Sequence, residues 1–374
     1  MLASGGSKAG AAELSARIGR SIPVGYWIAY LTIVGVSVLS SLILLWFGRT
    51  HPLPPPTGGS SFPFVTFSLT ILFVIAVVRP LLLVIRRHPA PTRQLIADVQ
   101  RHKGWLVTVG LMAIVLPHTL DTATRFKQLI PQLVPFYADH AIANFEHRLL
   151  GVDAWEITHA VIGAEATRAI DLVYGLWHLV NISLLCWMVL TRDRRYQIQA
   201  VLTYQLAWLL LGGAAAIGLA SVGPCFLQAF TGDPRFAPLM AQLRAVNGPE
   251  GLNSLVAMKY LLANVDRNAL GAGISAMPSL HVGIAVFAVL VAFRQTRRMW
   301  MRAIALAYAA VIYVGSIHLG WHYASDGIVG GAGVALIWLA CGRFADLACV
   351  SVLEDQEPAA STGTDGAAEL RQRS

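Results

Sequence analysis

The feature that most constrains this sequence is a series of long apolar runs separated by short polar and basic segments. A membrane-spanning helix needs about 20 apolar residues to cross about 30 Å of hydrocarbon, and most of the runs approach that length. The sequence therefore predicts an all-α fold, a polytopic membrane helix bundle of about eight spans. The predicted spans are residues 26–47, 65–85, 105–116, 170–190, 200–222, 280–293, 303–317 and 327–341.

Composition and charge exclude the common soluble classes. The chain has 374 residues, of which 56% are hydrophobic and only 13% are charged, which is too apolar for an ordinary soluble domain. The net charge of +8 does not indicate a nucleic-acid partner, because the Lys and Arg residues cluster between the apolar runs. The cysteines have no CxxC spacing, which argues against a disulfide framework. No sequence feature specifies the oligomeric state.

The basic residues predict the orientation in the membrane. They precede the first run and follow the second, fourth, sixth and eighth, so these connections share one side. By the positive-inside rule that side is the cytoplasm, and both termini lie there. No small-residue cleavage site follows the first run, so we interpret it as an uncleaved signal anchor in the cytoplasmic (inner) membrane. The sixth and eighth spans then begin at the external or periplasmic face.

Three regions are predicted along the chain. They are a two-span extension at 1–103, a six-span core at 104–350 and a disordered cytoplasmic tail at 351–374. The core has two long external connections, of which the one at 223–274 is predicted to form a lid or a substrate funnel.

The other long external connection covers residues 117–169. The short third span before it is expected to continue through Pro117 toward Leu120. Apolar residues at helical spacing within 136–162 predict an amphipathic helix on the outer surface or capping the bundle. Its apolar positions include Ile142, Phe145, Leu149 and Leu150.

Two polar blocks at the starts of the sixth and eighth spans carry ionisable residues. The first is SAMPSLH at residues 275–281, and the second is HLGWHYASD at residues 318–326. An even number of spans separates the blocks, so they share a face of the membrane whatever its orientation. His322 and Asp326 are four residues apart, which on a helix places them on one face with about 6 Å between Cβ atoms.

The pairing of His322 with Asp326 is typical of an oriented histidine nucleophile or base. A carboxylate that holds one ring nitrogen leaves the other free to attack. His281 supplies a second imidazole, so one histidine would attack a phosphorus and the other would protonate the leaving oxygen. Ser279 and the amides that begin the sixth helix suit a phosphate. Packing is the alternative role for His281, His322 and Asp326. Ionisable groups near hydrocarbon cost about 2.5–3.5 kcal/mol each at mid-membrane, and this cost favours a functional role.

Two further patterns have alternative interpretations. His318 lies four residues before His322, so a metal site is a rival hypothesis, although ligands are few and no HExxH motif is present. On the fourth span Asp171, Tyr174 and His178 form a stripe at i, i+3 and i+7. The stripe is either an inter-helix hydrogen-bond network or a polar wall of the substrate cavity that contacts a hydroxylated head group.

The two blocks resemble the second and third signature blocks of the type 2 phosphatidic acid phosphatase superfamily. The His-Tyr-x-x-Asp form of the second block, and the Gly-Pro-Cys stretch at 223–225, look most like its inositol phosphorylceramide synthase branch. The resemblance implies His322 as the nucleophile that forms a phosphohistidine, Asp326 as its orienting partner and His281 as the general acid. It also implies a six-helix core and no metal, and no other cofactor is expected.

Two departures from the superfamily pattern favour head-group transfer over phosphate release. The first signature block, a Lys followed by Arg-Pro, has no counterpart, because Arg79-Pro80 lacks the upstream Lys and falls toward the cytoplasmic end of its span. Ser316 replaces the usual Arg before the nucleophile. A phosphodiester carries one negative charge and needs fewer fixed cations than a nearly dianionic phosphomonoester. The external basic residues that can substitute are Arg125, Lys127, Arg244, Lys259 and Arg267.

The sequence thus predicts a metal-independent membrane phosphotransferase. It would move an inositol phosphate-like head group from a phospholipid donor to a lipid hydroxyl through a phosphohistidine. With water as acceptor, the same chemistry gives a lipid phosphate phosphatase of the phosphatidate or polyprenyl phosphate type. A lipid transporter is the alternative of another class, but it needs paired broken helices in two repeat halves, which we do not find. The predicted substrate-binding residues are Ser275, Ser279, Asp171, Tyr174, His178 and Arg267.

Overall fold

The computed structural model describes residues 24–52, 62–87, 89–247, 251–265 and 273–354. Every regular element in those ranges is a helix, which confirms the predicted all-α class. The helices are α1 (Val24–Phe47), α2 (Phe62–Ile85), α3 (Pro91–Leu133), α4 (Asp139–Leu150), α5 (Ala154–Val161), α6 (Ala164–Gly175), α7 (Trp177–Leu190), α8 (Arg194–Leu206) with a π-helical continuation (Ala207–Ala215) and a last turn (Ala216–Gly218), α9 (Pro224–Thr231), α10 (Ala237–Val246), α11 (Asn253–Ala263), α12 (Leu280–Gln295), α13 (Met299–His318) and α14 (Ala324–Glu354).

Six helical segments in the described ranges are long and apolar enough to cross a membrane, which confirms a multi-pass bundle. They are α1, α3, α6 together with α7, α8 with its continuation, α13 and α14. The predicted second and sixth spans form α2 and the 16-residue α12. α12 is shorter than the about 20 residues of a typical span, and the first polar block lies at its N-terminal end.

The end predicted for the third span is wrong. α3 does not stop near Leu120 but continues to Leu133 as one helix of 43 residues. Pro131 and the polar residues of this extension made it resemble a loop, yet Thr119, just before the extension, finds partners inside the bundle. The hydroxyl of Thr119 lies 3.2 Å from that of Ser37, and the Gln205 amide donates to Thr119 at 3.1 Å. Paired in this way, polar groups can be buried without the cost of an unsatisfied hydrogen bond.

The first helix packs into the same bundle as the rest of the chain. The hydroxyl of Tyr30 on α1 donates to Gln197 on α8 at 2.7 Å, and Tyr30 and Ile33 belong to the main buried cluster. α3 passes without a break across the predicted boundary at residues 103 and 104. Residues 355–374 of the predicted tail lie outside the described residues.

The single amphipathic helix predicted over 136–162 is wrong in length. α4 and α5 replace it, because a glycine in the left-handed conformation ends α4. The inner face of α4 carries Asp139 and Glu146, both almost fully buried. The helix is turned this way because its carboxylates find hydrogen-bond donors on the inner side. Of the predicted apolar positions only Ile142 is buried, and Phe145, Leu149 and Leu150 are exposed.

The two polar blocks meet at one end of the bundle, where α12 and α14 begin and α13 ends. The backbone N–H of Ser279 donates to the carbonyl of Asp326 at 2.9 Å. Gly330 permits this approach of α12 to α14, since a Cβ there would overlap the Ser279 carbonyl. Arg195 at the start of α8 pairs with Asp346 near the far end of α14 at 2.8 Å, which marks the opposite end of the bundle.

Candidate active site

The second block supplies the pair His322 and Asp326. α13 ends at His318 and α14 begins at Ala324, so His322 lies in the connection and not on the helix itself. Its Nδ1 nevertheless lies 3.3 Å from Oδ2 of Asp326, and the same oxygen accepts the backbone N–H of Tyr323 at 3.0 Å. Asp326 is fully buried and His322 is 7% exposed. Because the carboxylate holds Nδ1, Nε2 is the ring nitrogen left to act as nucleophile or base.

The first block supplies His281, the second residue of α12. Ser279 caps this helix, since its hydroxyl accepts the backbone N–H of Val282 at 3.4 Å. Ser275 is half-buried in the segment that leads to the cap. The ring centroids of His281 and His322 are 5.9 Å apart, with the planes inclined at 54°. The structure thus brings together the three residues predicted to be catalytic.

Two aromatic side chains form the wall behind His281. Tyr174 at the end of α6 stacks on the imidazole, with centroids 5.2 Å apart and planes inclined at 16°. Trp177 at the start of α7 lies 4.4 Å from the same ring, and its indole N–H donates to the His281 carbonyl at 3.0 Å. Tyr174 was predicted to line the substrate cavity, whereas Trp177 was missed because an aromatic residue in an apolar run carries no distinctive signal. Both side chains restrict the rotation of His281.

The other two residues of the predicted stripe make different contacts, although His178 is near enough to act electrostatically on His281. The carboxylate of Asp171 accepts the backbone N–H groups of Asn253 at 2.7 Å and of Ser254 at 2.9 Å. Asp171 therefore holds the start of α11, as in the structural interpretation of the stripe. His178 is exposed on α7, with its ring 5.2 Å from that of Trp177.

Asp139 on α4 was not predicted, and it ties the second block to the turn before α9. Its carboxylate accepts the backbone N–H groups of Val222 and Gly223, each at 2.9 Å, and the hydroxyl of Tyr323 at 3.0 Å. Burial raises the pKa of Asp139, and these hydrogen bonds oppose the rise. Gly223 has φ of +87°, and a Cβ there would lie 2.5 Å from the carbonyl of Trp321. The Gly-Pro-Cys stretch therefore packs directly on the second block.

Glu146, also on α4, was missed as well, and it binds the N-terminal end of α14. Its Oε1 accepts the backbone N–H and the hydroxyl of Ser325, each at 2.6 Å, and its Oε2 accepts the N–H of Ala324 at 3.1 Å. A carboxylate here satisfies amides that a helix start leaves unpaired, and it suits the positive end of the helix dipole. The sequence did contain a signal, because Asp139 and Glu146 are seven residues apart and share a helix face.

Few cations approach the three catalytic candidates in the described part of the chain. Lys127 on α3 is near enough to act electrostatically on His281. Ser316, which replaces the usual arginine, is fully buried, and its carbonyl accepts the backbone N–H of His322 at 3.0 Å. This position therefore has a structural role. Arg267, predicted to bind substrate, lies outside the described residues.

His318 does not join His322 in a shared site. Its ring stacks on that of His159 with centroids 4.0 Å apart, and its nitrogens lie 2.9 Å and 3.1 Å from the hydroxyls of Thr167 and Thr158. Among the described residues, no three His, Cys, Asp or Glu side chains are grouped as a metal site. The contacts of His318 indicate a packing role between α5, α6 and α13.

The fold and the site together define a class: a polytopic membrane protein that brings a carboxylate-held histidine and a second histidine to one end of its bundle. A family model described as the PAP2 superfamily matches residues 140–341, more than half of the chain. The chain belongs to the PAP2 superfamily, which supports a function of the lipid phosphatase or phosphotransferase type. No curated protein and no solved structure matches the chain.

Proposed function

We propose that this protein is a membrane phosphotransferase that moves an inositol phosphate-like head group from a phospholipid to a lipid hydroxyl. The observation that carries the proposal is the geometry of His322. Its Nδ1 lies 3.3 Å from the Asp326 carboxylate, and its ring lies 5.9 Å from that of His281. An imidazole held on one nitrogen presents the other as a nucleophile, and a second histidine nearby serves the leaving oxygen.

The first half of the reaction forms a phosphohistidine. Nε2 of His322 attacks the phosphorus of the donor, and the bond from phosphorus to the diacylglycerol oxygen breaks. Protonated His281 gives its proton to that oxygen, so diacylglycerol leaves as a neutral alcohol. Asp326 keeps the proton of His322 on Nδ1 and faces the positive charge that develops on the phosphorylated ring.

The second half transfers the head group to the acceptor. His281, now neutral, removes the proton of the acceptor hydroxyl, and the oxygen attacks the phosphorus as the bond to Nε2 breaks. Both histidines return to their starting protonation states. If water replaces the lipid hydroxyl, the head group leaves as a free phosphate monoester, and the reaction is hydrolysis of the donor. With a phosphomonoester lipid as donor, the same two steps release inorganic phosphate, and the protein acts as a lipid phosphatase.

The shortage of cations around the site supports a phosphodiester donor. Lys127 is the cation near His281 in the described part of the chain, and Ser316 takes the place of an arginine. A phosphodiester has one negative charge, which a single lysine and the amides at the start of α12 can balance. A phosphomonoester is nearly dianionic at neutral pH and calls for more fixed cations.

We further propose that the site faces the external or periplasmic side of the cytoplasmic membrane and that both termini are cytoplasmic. Support comes from the exposed Arg297 and Arg298 between α12 and α13, which lie at the end of the bundle away from His322. A reporter enzyme that works only in the cytoplasm is expected to be active when fused after Ser374. Inactivity there, with activity of a periplasmic reporter, would reverse the orientation.

Product analysis tests the transferase directly. The purified full-length protein in nanodiscs would receive phosphatidylinositol with either ceramide or diacylglycerol of another chain length, and lipid products would be followed by mass spectrometry. His322→Ala and His281→Ala are expected to abolish transfer, whereas His118→Ala, on an exposed residue of α3, is expected to leave it unchanged. Release of inositol phosphate alone, with every acceptor, would reject the transferase, and release of inorganic phosphate from phosphatidate in a parallel reaction would establish the phosphatase. Equal turnover by the wild type and both histidine variants would reject either enzyme.

A further inference from the structure

A second polar cavity lies at the end of the bundle opposite to the proposed active site. Its volume is about 370 Å³. Three separated parts of the chain form its walls: the start of α1, residues 100–108 of α3, and the connection from α7 to α8. α7 begins beside His281 and ends at this cavity, and its 14 residues span about 21 Å. The two sites are therefore distinct.

The cavity is strongly cationic. No acidic residue lines it, and Asp193, which lies in the connection beside it, uses its carboxylate to accept the backbone N–H of Tyr196 at 3.1 Å. None of the four lining cations forms an ion pair with a described residue. The charge is therefore available to a ligand. The four cations are Arg101, Lys103, Arg192 and Arg194.

Two aromatic residues beside the cavity indicate that it lies at the level of lipid head groups. The guanidinium of Arg192 lies 5.3 Å from the ring centroid of Trp105, and that of Arg194 lies 6.0 Å from that of Tyr26. The indole of Trp105 donates to the carbonyl of Leu190 at 3.2 Å. Trp and Tyr concentrate at the boundary between hydrocarbon and water, so the cationic groups lie where phosphates of the bilayer lie.

We propose that this cavity binds a phosphate group, supplied by the head group of an anionic phospholipid or by a soluble phosphate compound. Guanidinium groups match phosphate oxygens in a bidentate geometry, and basic pockets between membrane helices bind phosphorylated head groups. The positive-inside rule alone accounts for basic residues in these connections. It does not account for their convergence, from two separate parts of the chain, around one cavity that no acidic residue lines.

Binding by matched variants tests the proposal. The full-length protein in detergent would receive phosphatidylglycerol and phosphatidylcholine in equal amounts, and bound lipid would be measured by native mass spectrometry. A second arm would measure the thermal unfolding midpoint with and without millimolar inorganic phosphate. Arg192→Gln with Arg194→Gln removes two cations of the cavity. Arg297→Gln with Arg298→Gln removes two exposed cations at the same end, away from the cavity.

The wild type and the control pair are expected to retain phosphatidylglycerol preferentially, and the cavity pair to bind it about thirty-fold more weakly. Stabilisation by inorganic phosphate that the cavity pair lacks, without preferential lipid retention, would assign a soluble source. If the cavity pair fails to fold, Arg101→Gln with Lys103→Gln on exposed positions of α3 replaces it. Equal behaviour of cavity and control variants in both arms would overturn the proposal.

Discussion

Replacing Glu146 with alanine is expected to lower both the stability and the turnover of this protein. The carboxylate accepts three hydrogen bonds, at 2.6, 2.6 and 3.1 Å, from Ala324 and Ser325 at the start of α14. Hydrogen bonds to a charged group contribute about 1.5 kcal/mol or more each, so three give a loss of about 4.5 kcal/mol if nothing replaces them. Lost helix N-caps typically cost about 1–2 kcal/mol, because water takes over part of the bonding.

Because Glu146 is buried, the expected loss in the free energy of unfolding lies between these two values. Glu146 is 5% exposed, so water reaches the vacated amides poorly, and we expect a decrease of about 2–3 kcal/mol in the free energy of unfolding. Asp326 follows Ser325 directly, so the freed turn lets the carboxylate move away from His322. A displacement of about 1 Å in a catalytic group lowers kcat by about 10²-fold. KM is expected to change little, because no bond to substrate is removed.

The assay combines thermal unfolding in detergent with the lipid transfer reaction. Glu165→Ala is the matched control, since the side chain of Glu165 is 88% exposed and its ion pair is with Arg168 on the same helix. Ser325→Ala removes only the hydroxyl bond and is expected to produce a smaller loss of stability. If Glu146→Ala matched Glu165→Ala in both unfolding midpoint and kcat, the capping role of Glu146 would be refuted.

Three further predictions concern the carboxylate of Asp326, the ion pair of Asp153 with Arg235, and the crossing of α12 and α14. Asp326→Asn is expected to lower kcat by about 10³–10⁴-fold in the lipid transfer assay without unfolding the protein, because an uncharged amide no longer favours the Nδ1–H tautomer; wild-type turnover would contradict this. Burial alone would raise the pKa of Asp153, but the hydrogen bonds from Arg235 and from the imidazole of His147 outweigh the effect of burial and lower the pKa. The stability that the Asp153 carboxylate contributes is therefore present above about pH 4, and it is lost as the pH falls through the lower pKa of the folded state. The unfolding midpoint of Arg235→Gln should consequently depend less on pH between about 6 and 3 than that of the wild type. Gly330→Ala should cost about 1–3 kcal/mol by forcing α12 from α14, whereas Gly110→Ala, with open space around it, should leave the unfolding midpoint unchanged.

The local patterns of the sequence predicted the helical bundle and the contact between His322 and Asp326. Long apolar runs form helices wherever they occur, because the backbone in hydrocarbon must satisfy its own hydrogen bonds. The spacing of His322 and Asp326 predicted their contact, although His322 lies just before α14 and not on it. Four residues are too few for the chain to separate the two side chains, so this prediction depended little on the rest of the fold.

Polar residues on α3 and α4 show where sequence patterns misled. The helix α3 was expected to end near Leu120, but Thr119 has partners on α1 and α8, and α3 continues to Leu133. On α4 the apolar pattern drew attention to residues such as Phe145, which is 55% exposed, whereas the face that packs inward carries the carboxylates of Asp139 and Glu146. The side that a helix buries depends on the donors opposite, and those donors belong to distant parts of the chain.

The sequence by itself therefore determined the long apolar helices and the pair His322 and Asp326, because each depends on neighbours within one or two helical turns. Only the tertiary structure brought His281 to that pair and turned Asp139 and Glu146 toward the second block. Those contacts join residues separated by many tens of positions, and their free energy depends on burial and on hydrogen-bond partners that exist only once the bundle has formed.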